Sequence, residues 1–533
     1  MTTRTVFAVI LAAGSLSGPN SQGAPPLPLA TAPLSQTSHL QRALALANAV
    51  DTNTPSVRVL FYGQSIIQQR WWVDLQTLLL SRYPGCSWHI ENRALGGHIA
   101  EFLVKTAEAD VYPYQPDLLI FHDYGDAQAY GEFISRVRTR TCADILLVAD
   151  HIASYGDPNE DTNNIPVSTV AGTTWFDYVC QPQIALTNGA CRADIRTPWK
   201  QYLISNQLSP TNLLVDSVHL NYAGCNLMTD LLSPYLQAPI LQPPVDPFLC
   251  DRVKRVSLAQ DAFGKTNQVT IPFIGNRVLF RVQDTQAAHA DFLIDGLKPS
   301  GFIPAFVHGR CSPWPKFWWP AILKIEAQTV PVAEDWTLTV DSIEGAADPI
   351  TFHVQGTTTG ADGMGRSDAD FTSTSGRVVI LSEDWYWQTY QGGLTNGMQF
   401  NWSTSFNGAD SVDSSAGGSG GGRWLEIIQG LTDQAHVLTL TLGGGATDQF
   451  PELLVYHPGG SELGGDSADM NILRFARQDS NLLLCWPEQI GVLLRSSSDL
   501  VGWTKTLAVS PLFRRCQADF TLGTNTIFYQ PSN

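Results

Sequence analysis

Three short segments place glycines and reactive side chains at spacings that suit nucleophilic catalysis. Gly63-Gln64-Ser65 follows an apolar run, and a glycine there lets the chain turn sharply and expose the serine. Asp216 precedes His219 by three residues, so its carboxylate can hold imidazole Nδ1 and leave Nε2 free to accept a proton. The segment 92–98 carries two adjacent glycines, whose backbone N–H groups can approach a ligand oxygen closely. Each segment alone is also compatible with an ordinary turn.

The elements around these segments predict an α/β domain over residues 55–237. Continuous apolar runs separated by helical patterns are typical of a parallel sheet covered on both faces. In such a sheet, ligand sites form beyond the carboxyl ends of the strands. The predicted strands are 57–62, 88–92, 118–121 and 145–149, and the predicted helices are 72–80 and 223–232.

Taken together, Gly63-Gln64-Ser65, Asn92 with Gly97, and Asp216-x-x-His219 resemble the first, second and last motifs of the SGNH (GDSL-type) hydrolase family. The resemblance implies a three-layer α/β/α fold of the flavodoxin-like kind and Ser–His–Asp chemistry on esters, often on acetylated carbohydrate. It implies that Ser65 is the nucleophile, His219 the general base and Asp216 the orienting carboxylate. The N–H groups of Ser65 and Gly97 would form the oxyanion hole. Gln64 in place of the usual aspartate is similar to a variant found among carbohydrate esterases.

The third motif departs from that family. The family places an asparagine after the third strand as an oxyanion donor, whereas this chain has Gly125 there. Loss of one such donor costs about 10²–10³ in turnover. Five groups could replace it, and the sequence does not choose among them: the N–H of Gly125 or Asp126, the Gln64 amide, Arg93 and His122.

Several other polar residues near predicted strand ends have two interpretations. Asp123 and Asp126 either act on substrate or cap the next helix, and capping is favoured. The candidate substrate-binding or pocket residues are Gln64, Arg93, His98, His122, Asp126, Asp150 and His151. The mechanism requires no metal and no organic cofactor, and the acidic residues show no metal-binding spacing.

Beyond residue 237 the pattern changes to short strands bounded by turn residues, which is typical of β-sandwiches. We predict a linker over 238–250, a β-sandwich region of one or two units over 251–479 and a small β-module over 480–533. The predicted strands include 269–271, 277–282, 291–294, 336–340 and 377–380, and 414–422 is expected to be a loop. The aromatic segment 312–319 suits either sugar stacking or, as the favoured interpretation, an interface between units.

The N-terminus predicts export. Arg4 precedes a short apolar stretch and then small and polar residues, so we predict a signal peptide over 1–22, a tether over 23–54 and a secreted or periplasmic location. Nine cysteines include no Cys-x-x-Cys pair. Cys180 with Cys191 is the best candidate for a disulfide, and the alternative for this pair, as for any other, is two buried free thiols.

Composition excludes several classes of protein. Of 533 residues, 44% are hydrophobic and only 15% charged, with a net charge of −17, so nucleic acid is a poor partner. No apolar run is long enough for a membrane span. Together, the family resemblance and the N-terminal pattern predict a secreted esterase acting on acylated carbohydrate. The alternatives are a glycan-cleaving enzyme on the same scaffold and a glycan-binding protein without activity.

Overall fold

The computed structural model describes most of the chain: residues 32–49, 54–237, 240–241, 246–258, 267–313, 319–343, 349–386, 394–415, 422–443, 447–460, 474–478, 481–487, 493–497, 505–507, 510–512, 515–521 and 528–532. The predicted signal peptide over 1–22 lies outside these residues. Among the helices described, none has the length and apolar content needed to cross a membrane.

A five-stranded parallel sheet forms the centre of the first unit. The strands of this unit are β1 (Val57–Gly63), β2 (Trp88–Asn92), β3 (Leu118–His122), β4 (Gly125–Asp126), β5 (Asp144–Val148), β6 (Val170–Ala171) and β7 (Cys191–Ala193). The sheet has the order β2-β1-β3-β5-β7, and β4 pairs separately with β6. This is the doubly wound order of flavodoxin-like folds, in which ligands bind where the strand order reverses, between β1 and β3.

Helices cover both faces of the sheet because its strands are apolar on both sides. The helices are α1 (Leu34–Thr37), α2 (Gln41–Asn48), α3 (Trp71–Arg82), α4 (Ala100–Asp110), α5 (Ala127–Arg140), α6 (Gln181–Thr187), α7 (Arg196–Ser205) and α8 (Tyr222–Leu232). Side chains of α2, α3, α7 and α8 share one apolar core, and those of α4, α5 and α6 share the other. The predicted three-layer α/β/α fold is therefore confirmed.

The first four predicted strands and both predicted helices are present. The fifth strand, β7, is missing from the prediction because it has three residues and Arg192 in its centre, so it carries no apolar run. It enters the sheet through its pairing with β5.

The predicted tether over 23–54 is wrong for residues 34–48, which are helical. Leu40 and Leu44 are buried against the sheet, and buried Arg42 forms an ion pair of 2.9 Å with Asp117. Proline and serine in the preceding residues obscured the helical spacing of these leucines.

The remainder of the described chain consists almost entirely of strands. They are β8 (Leu249–Cys250), β9 (Val253–Ser257), β10 (Gln268–Gly275), β11 (Arg277–Val282), β12 (Ala288–Ile294), β13 (Phe306–His308), β14 (Ser312–Pro313), β15 (Glu334–Ile343), β16 (Ile350–Gly356), β17 (Gly360–Arg366), β18 (Phe371–Thr372), β19 (Val379–Ile380), β20 (Gln399–Phe406), β21 (Ser411–Ser414), β22 (Arg423–Ile428), β23 (Gln434–Gly443), β24 (Glu452–Tyr456), β25 (Arg474–Gln478), β26 (Asn481–Pro487), β27 (Leu493–Ser497), β28 (Lys505–Leu507), β29 (Ser510–Leu512), β30 (Arg515–Thr521) and β31 (Phe528–Ser532). These strands confirm the predicted all-β region.

Two β-units with separate apolar cores lie in the predicted sandwich region. In the first, the sheets β10-β23-β12-β21 and β22-β11-β24-β9-β8 share one core. The chain leaves this sandwich after β12 and returns at β21. The strands between them, β13 to β20, build a second unit with its own core. The second unit is therefore inserted within the first, which strand spacing alone does not reveal.

Some predicted boundaries differ from the structure. Within the predicted linker 238–250, Leu241 is fully buried and the last two residues form β8. The predicted strand 377–380 is reduced to β19, and the final β-module includes β25, which begins before residue 480. In the predicted loop 414–422, residues 416–421 lie outside the described residues.

The predicted disulfide between Cys180 and Cys191 is wrong. Cys191 lies in β7 and belongs to the core on one face of the parallel sheet. Cys180 packs against the core on the opposite face. Closeness along the chain therefore does not bring the two sulfur atoms together, because the sheet separates them.

Candidate active site

Ser65 lies two residues after β1, at the carboxyl ends of the strands and at the point where the strand order reverses. Gly63 ends β1 with φ +142°, and a Cβ atom at this position would lie 1.9 Å from the carbonyl oxygen of His122. Any larger residue would therefore push β1 away from β3. The close approach of these strands places half-buried Ser65 at the carboxyl edge of the sheet.

Ser65, His219 and Asp216 form a continuous line of contacts. Ser65 Oγ lies 2.8 Å from His219 Nε2, and His219 Nδ1 lies 2.7 Å from Asp216 Oδ2. Because a carboxylate only accepts hydrogen bonds, Nδ1 carries the ring proton of the neutral imidazole. Nε2 is then positioned to accept the proton of the Ser65 hydroxyl. The structure thus brings together the three residues that the sequence selected.

The loop carrying Asp216 and His219 is fixed by its own carboxylate. Asp216 Oδ1 accepts hydrogen bonds from the backbone N–H groups of His219 and Val218, at 2.7 and 2.8 Å. These bonds, together with the imidazole contact, lower the pKa of Asp216 to about 2. The carboxylate therefore remains ionised at neutral pH, and the 51% exposure of its side chain to water also favours the charged form.

Two further side chains join this loop to the rest of the domain. Gln69, four residues after Ser65, accepts from the N–H of Leu220 and donates to its carbonyl oxygen. Asn221 caps α8 by accepting from the N–H of Gly224 at 3.0 Å. The short helix-like turn after Ser65 and the start of α8 thus hold the imidazole against the hydroxyl.

Backbone donors are available beside Ser65. Within the described residues, neither the N–H of Ser65 nor that of Gly97 donates a hydrogen bond to another protein group. Gly97 has φ +81°, and Asn92 ties its loop to the first motif by donating to the carbonyl oxygen of Ile67 at 2.9 Å. These two N–H groups can therefore serve an oxyanion, as the sequence predicts.

Gln64 is a candidate for the donor that the third motif lacks. Its Oε1 lies 2.7 Å from Ser65 Oγ, where it competes with His219 Nε2 for the single hydroxyl proton, and the side chain is buried. Its Nε2 is buried with no hydrogen-bond partner among the described residues. By contrast, the N–H of Asp126 already donates to Glu101, and Gly125 lies in the strand pair β4–β6. An amide donor beside the nucleophile is thus uncommitted.

The remaining predicted substrate-binding residues have partners elsewhere. The Arg93 guanidinium binds Glu91 and the carbonyl oxygen of Asp110. Asp126 caps α5 by accepting from two N–H groups of its first turn, which confirms the capping interpretation for this residue. Asp123 is not a cap: it is buried, and burial raises its pKa well above the usual range.

His122, Asp150 and His151 form a separate buried cluster at the ends of β3 and β5. They do not contact Ser65 through any hydrogen bond of the described residues. His151 instead donates to the carbonyl oxygen of Val218, within the loop that carries the Asp–His pair. The sequence predicted that these residues line a pocket, and the structure buries all three side chains.

The second β-unit reaches the glycine loop of the site through Trp319. The indole Nε1 donates to the carbonyl oxygen of Gly96 at 2.8 Å, and the ring packs against His98 with centroids 5.6 Å apart. A Cβ atom on Gly97 would lie 3.1 Å from this indole. Trp319 therefore occupies an interface, as the favoured interpretation has it. Residues 314–318 of the aromatic segment lie outside the described residues.

Sequence patterns did not identify Gln69, Tyr124 or Trp319 as part of the site region. Tyr124 donates to Asp150, and Trp319 comes from an inserted unit more than 200 residues from the glycines that it contacts. Only Gln69 had a local signal, because it lies about one helical turn beyond Ser65.

The strand order and the positions of the three motifs agree with the pattern of the SGNH hydrolase family given above. The first motif follows β1, the second follows β2, and the Asp–His pair precedes α8, the last helix of the α/β unit. The first unit thus has an α/β/α fold whose motif positions are similar to that pattern, and it is followed by β-units.

Comparison with known proteins gives structural neighbours only. No protein-family profile matches the chain, and no curated protein matches it. An acetylxylan esterase from Geobacillus stearothermophilus is 14% identical, with 35% of this chain and 97% of that chain covered and a TM-score of 0.29. A two-domain esterase active on acetylated mannans is 13% identical, with 79% and 96% covered and a TM-score of 0.30.

Proposed function

We propose that this protein is a serine esterase that removes acetyl or other acyl groups from carbohydrate outside the cytoplasm. One observation carries the proposal: the Ser65 hydroxyl, the His219 imidazole and the Asp216 carboxylate are joined by contacts of 2.8 and 2.7 Å. This arrangement is that of an activated nucleophile, a general base and the group that orients it.

The geometry supports a two-step reaction. Ser65 Oγ attacks the ester carbonyl while its proton passes to His219 Nε2, and Asp216 stabilises the imidazolium that forms. The imidazolium then protonates the leaving sugar hydroxyl, which leaves an acyl group on Ser65. Water hydrolyses this acyl-enzyme by the reverse proton transfers.

The negative oxygen of each tetrahedral intermediate needs donors beside Ser65. The uncommitted N–H groups of Ser65 and Gly97 supply two of them. We assign the third to Gln64 Nε2, a buried donor next to the nucleophile. A donor held in place before the reaction stabilises the developing charge without reorganisation.

The proposed substrate class rests on the first motif, and the proposed location rests on the N-terminal sequence. Gly63-Gln64-Ser65 resembles the variant of carbohydrate esterases, and the predicted signal peptide over 1–22 would deliver the enzyme to extracellular polysaccharide. The two solved esterases described above act on acetylated xylan and acetylated mannans, and we propose the same class of substrate for this chain.

The experiment compares the wild type with Ser65→Ala on an activated acetyl ester and on acetylated and deacetylated polysaccharides. We expect the wild type to release acetate from both acylated substrates and the variant to release none. Glycan cleavage that survives the substitution would indicate a glycan-cleaving enzyme instead. Binding of glycan without turnover by the wild type would indicate a binding protein.

A further inference from the structure

A second cluster of side chains that could bind or react lies outside the proposed catalytic triad of Ser65, His219 and Asp216. His122 ends β3, and Asp150 and His151 follow β5, the strand that pairs with β3. All three residues are buried, and one ring nitrogen of each histidine and one carboxylate oxygen of Asp150 lie within 4.8 Å of one another. Neighbouring parallel strands bring them together because their carboxyl ends meet at one edge of the sheet.

The hydrogen bond of His151 defines the state of its ring. Nε2 lies 2.7 Å from the carbonyl oxygen of Val218, which can only accept, so Nε2 carries a proton. In the neutral ring, Nδ1 then presents a lone pair. Nδ1 lies 3.1 Å from Asp150 Oδ1 but is not aligned with it as a hydrogen bond, and it has no hydrogen-bond partner among the described residues. A lone pair and a carboxylate oxygen at this distance repel each other unless a proton or a metal ion lies between them.

The spacing of the three groups fits a metal ion in that position. His122 Nε2 lies 3.3 Å from the same oxygen, Asp150 Oδ1. A tetrahedral ion with bonds of about 2.0–2.1 Å separates its ligand atoms by about 3.3–3.4 Å. The observed separations of 3.1 and 3.3 Å are close to this edge length. Two imidazoles and one carboxylate are also a ligand set that zinc accepts.

We propose that His122, Asp150 and His151 bind a divalent transition metal ion, with zinc the best match to the ligands. The bond from His151 Nε2–H to a backbone carbonyl is the outer contact that metal-ligating histidines usually make. The ion would hold His151 rigid, and His151 in turn holds Val218, between Asp216 and His219. The site is therefore a positioning site beneath the catalytic loop, and it takes no part in the proposed ester hydrolysis.

Cobalt titration of the full-length protein tests this proposal without reference to activity. The purified protein is first stripped with a chelator. One sample is then titrated with Co²⁺. A second sample is dialysed with Zn²⁺, and its bound zinc is measured by elemental analysis. We expect one equivalent per chain and the visible absorption of tetrahedral cobalt, displaced by zinc. His122→Gln and Asp150→Asn should abolish that absorption. His353→Gln is the matched control, because it alters a histidine paired with Asp341 in the second β-unit and should leave cobalt binding intact.

Two results would overturn the proposal. One is a stripped wild-type protein that binds neither cobalt nor zinc. The other is binding that is the same in His122→Gln and Asp150→Asn as in the wild type. Because either variant could fold poorly, circular dichroism accompanies each titration. Imidazole ¹⁵N spectra of the wild type give an independent result: protonation of both His151 nitrogens with zinc present would also contradict the proposal.

Discussion

Two Asp–His pairs at the same edge of the parallel sheet differ in exposure and in what contacts the second ring nitrogen. In the pair Asp216–His219 the side chains are 51% and 34% exposed, and Nε2 contacts the Ser65 hydroxyl. In the pair Asp150–His151 they are 8% and 0% exposed, and Nε2 contacts a backbone carbonyl. The exposed pair can exchange a proton with a substrate, whereas the buried pair is closed to substrate.

Further His–Asp pairs in the β-units show that such a pair is not itself a catalytic signal. His289 with Asp413, His353 with Asp341 and His457 with Asp433 each have a contact of 2.7 Å. In the part of the chain that the structure describes, no serine hydroxyl contacts the second nitrogen of these rings. The serine opposite Nε2 is what distinguishes His219.

The largest effect is expected from removing the imidazole of the exposed pair. His219→Ala should lower kcat by about 10⁶-fold, because both proton transfers lose their carrier. Steady-state hydrolysis of an activated acetyl ester measures this. The double variant Ser65→Ala with His219→Ala should lose little more than either alone, since the residues act as one unit.

His353→Ala is the matched control for that experiment, because it removes a histidine with the same carboxylate contact. It should leave kcat unchanged. Equal losses in His219→Ala and His353→Ala would contradict the distinction drawn between the exposed site pair and the pairs in the β-units.

A smaller loss is expected when the carboxylate of the exposed pair becomes an amide. Asp216→Asn should lower kcat by about 10⁴-fold, because the amide favours the wrong imidazole tautomer while keeping the shape of the side chain. The loss should appear in kcat with little change in KM. An Asp216→Asn enzyme with wild-type kcat would show that Asp216 does not orient His219.

Gln64 tests whether the site replaces its missing donor. Gln64→Glu keeps an oxygen toward the Ser65 hydroxyl but removes the N–H, so kcat should fall by about 10²–10³-fold. The kcat of Gln64→Ala should fall by a similar amount if the amide N–H is the group that stabilises the oxyanion. Full activity of both variants would assign the third donor to another group.

The buried histidine His98, which packs against Trp319, should affect stability rather than turnover. Burial, and to a lesser extent Arg310, lowers its pKa to about 4. Below about pH 6.5 this imidazole therefore binds a proton in the unfolded chain but stays neutral in the folded chain. The free energy of unfolding consequently falls as the pH decreases toward 4. Urea unfolding at several pH values should show a weaker acid dependence in His98→Phe than in the wild type. An unchanged dependence would refute this assignment.

The sequence was sufficient where the chain carries a local pattern. Apolar runs predicted β1, β2, β3 and β5, and the resemblance of three motifs to a known family selected Ser65, Asp216 and His219. It failed where the decisive contacts are distant in sequence. Trp319 meets Gly96 from an inserted unit, and His122 meets Asp150 from the neighbouring strand. Neither contact leaves a periodic or spaced signal in the chain.

The most direct test of the account is labelling with a fluorophosphonate, which reacts with activated serine hydroxyls. Peptide mass spectrometry of the labelled full-length protein should place the adduct on Ser65, and His219→Ala should label far more slowly. Absence of the adduct from a folded wild-type protein, or an adduct on a different serine, would contradict the claim that His219 and Asp216 activate Ser65.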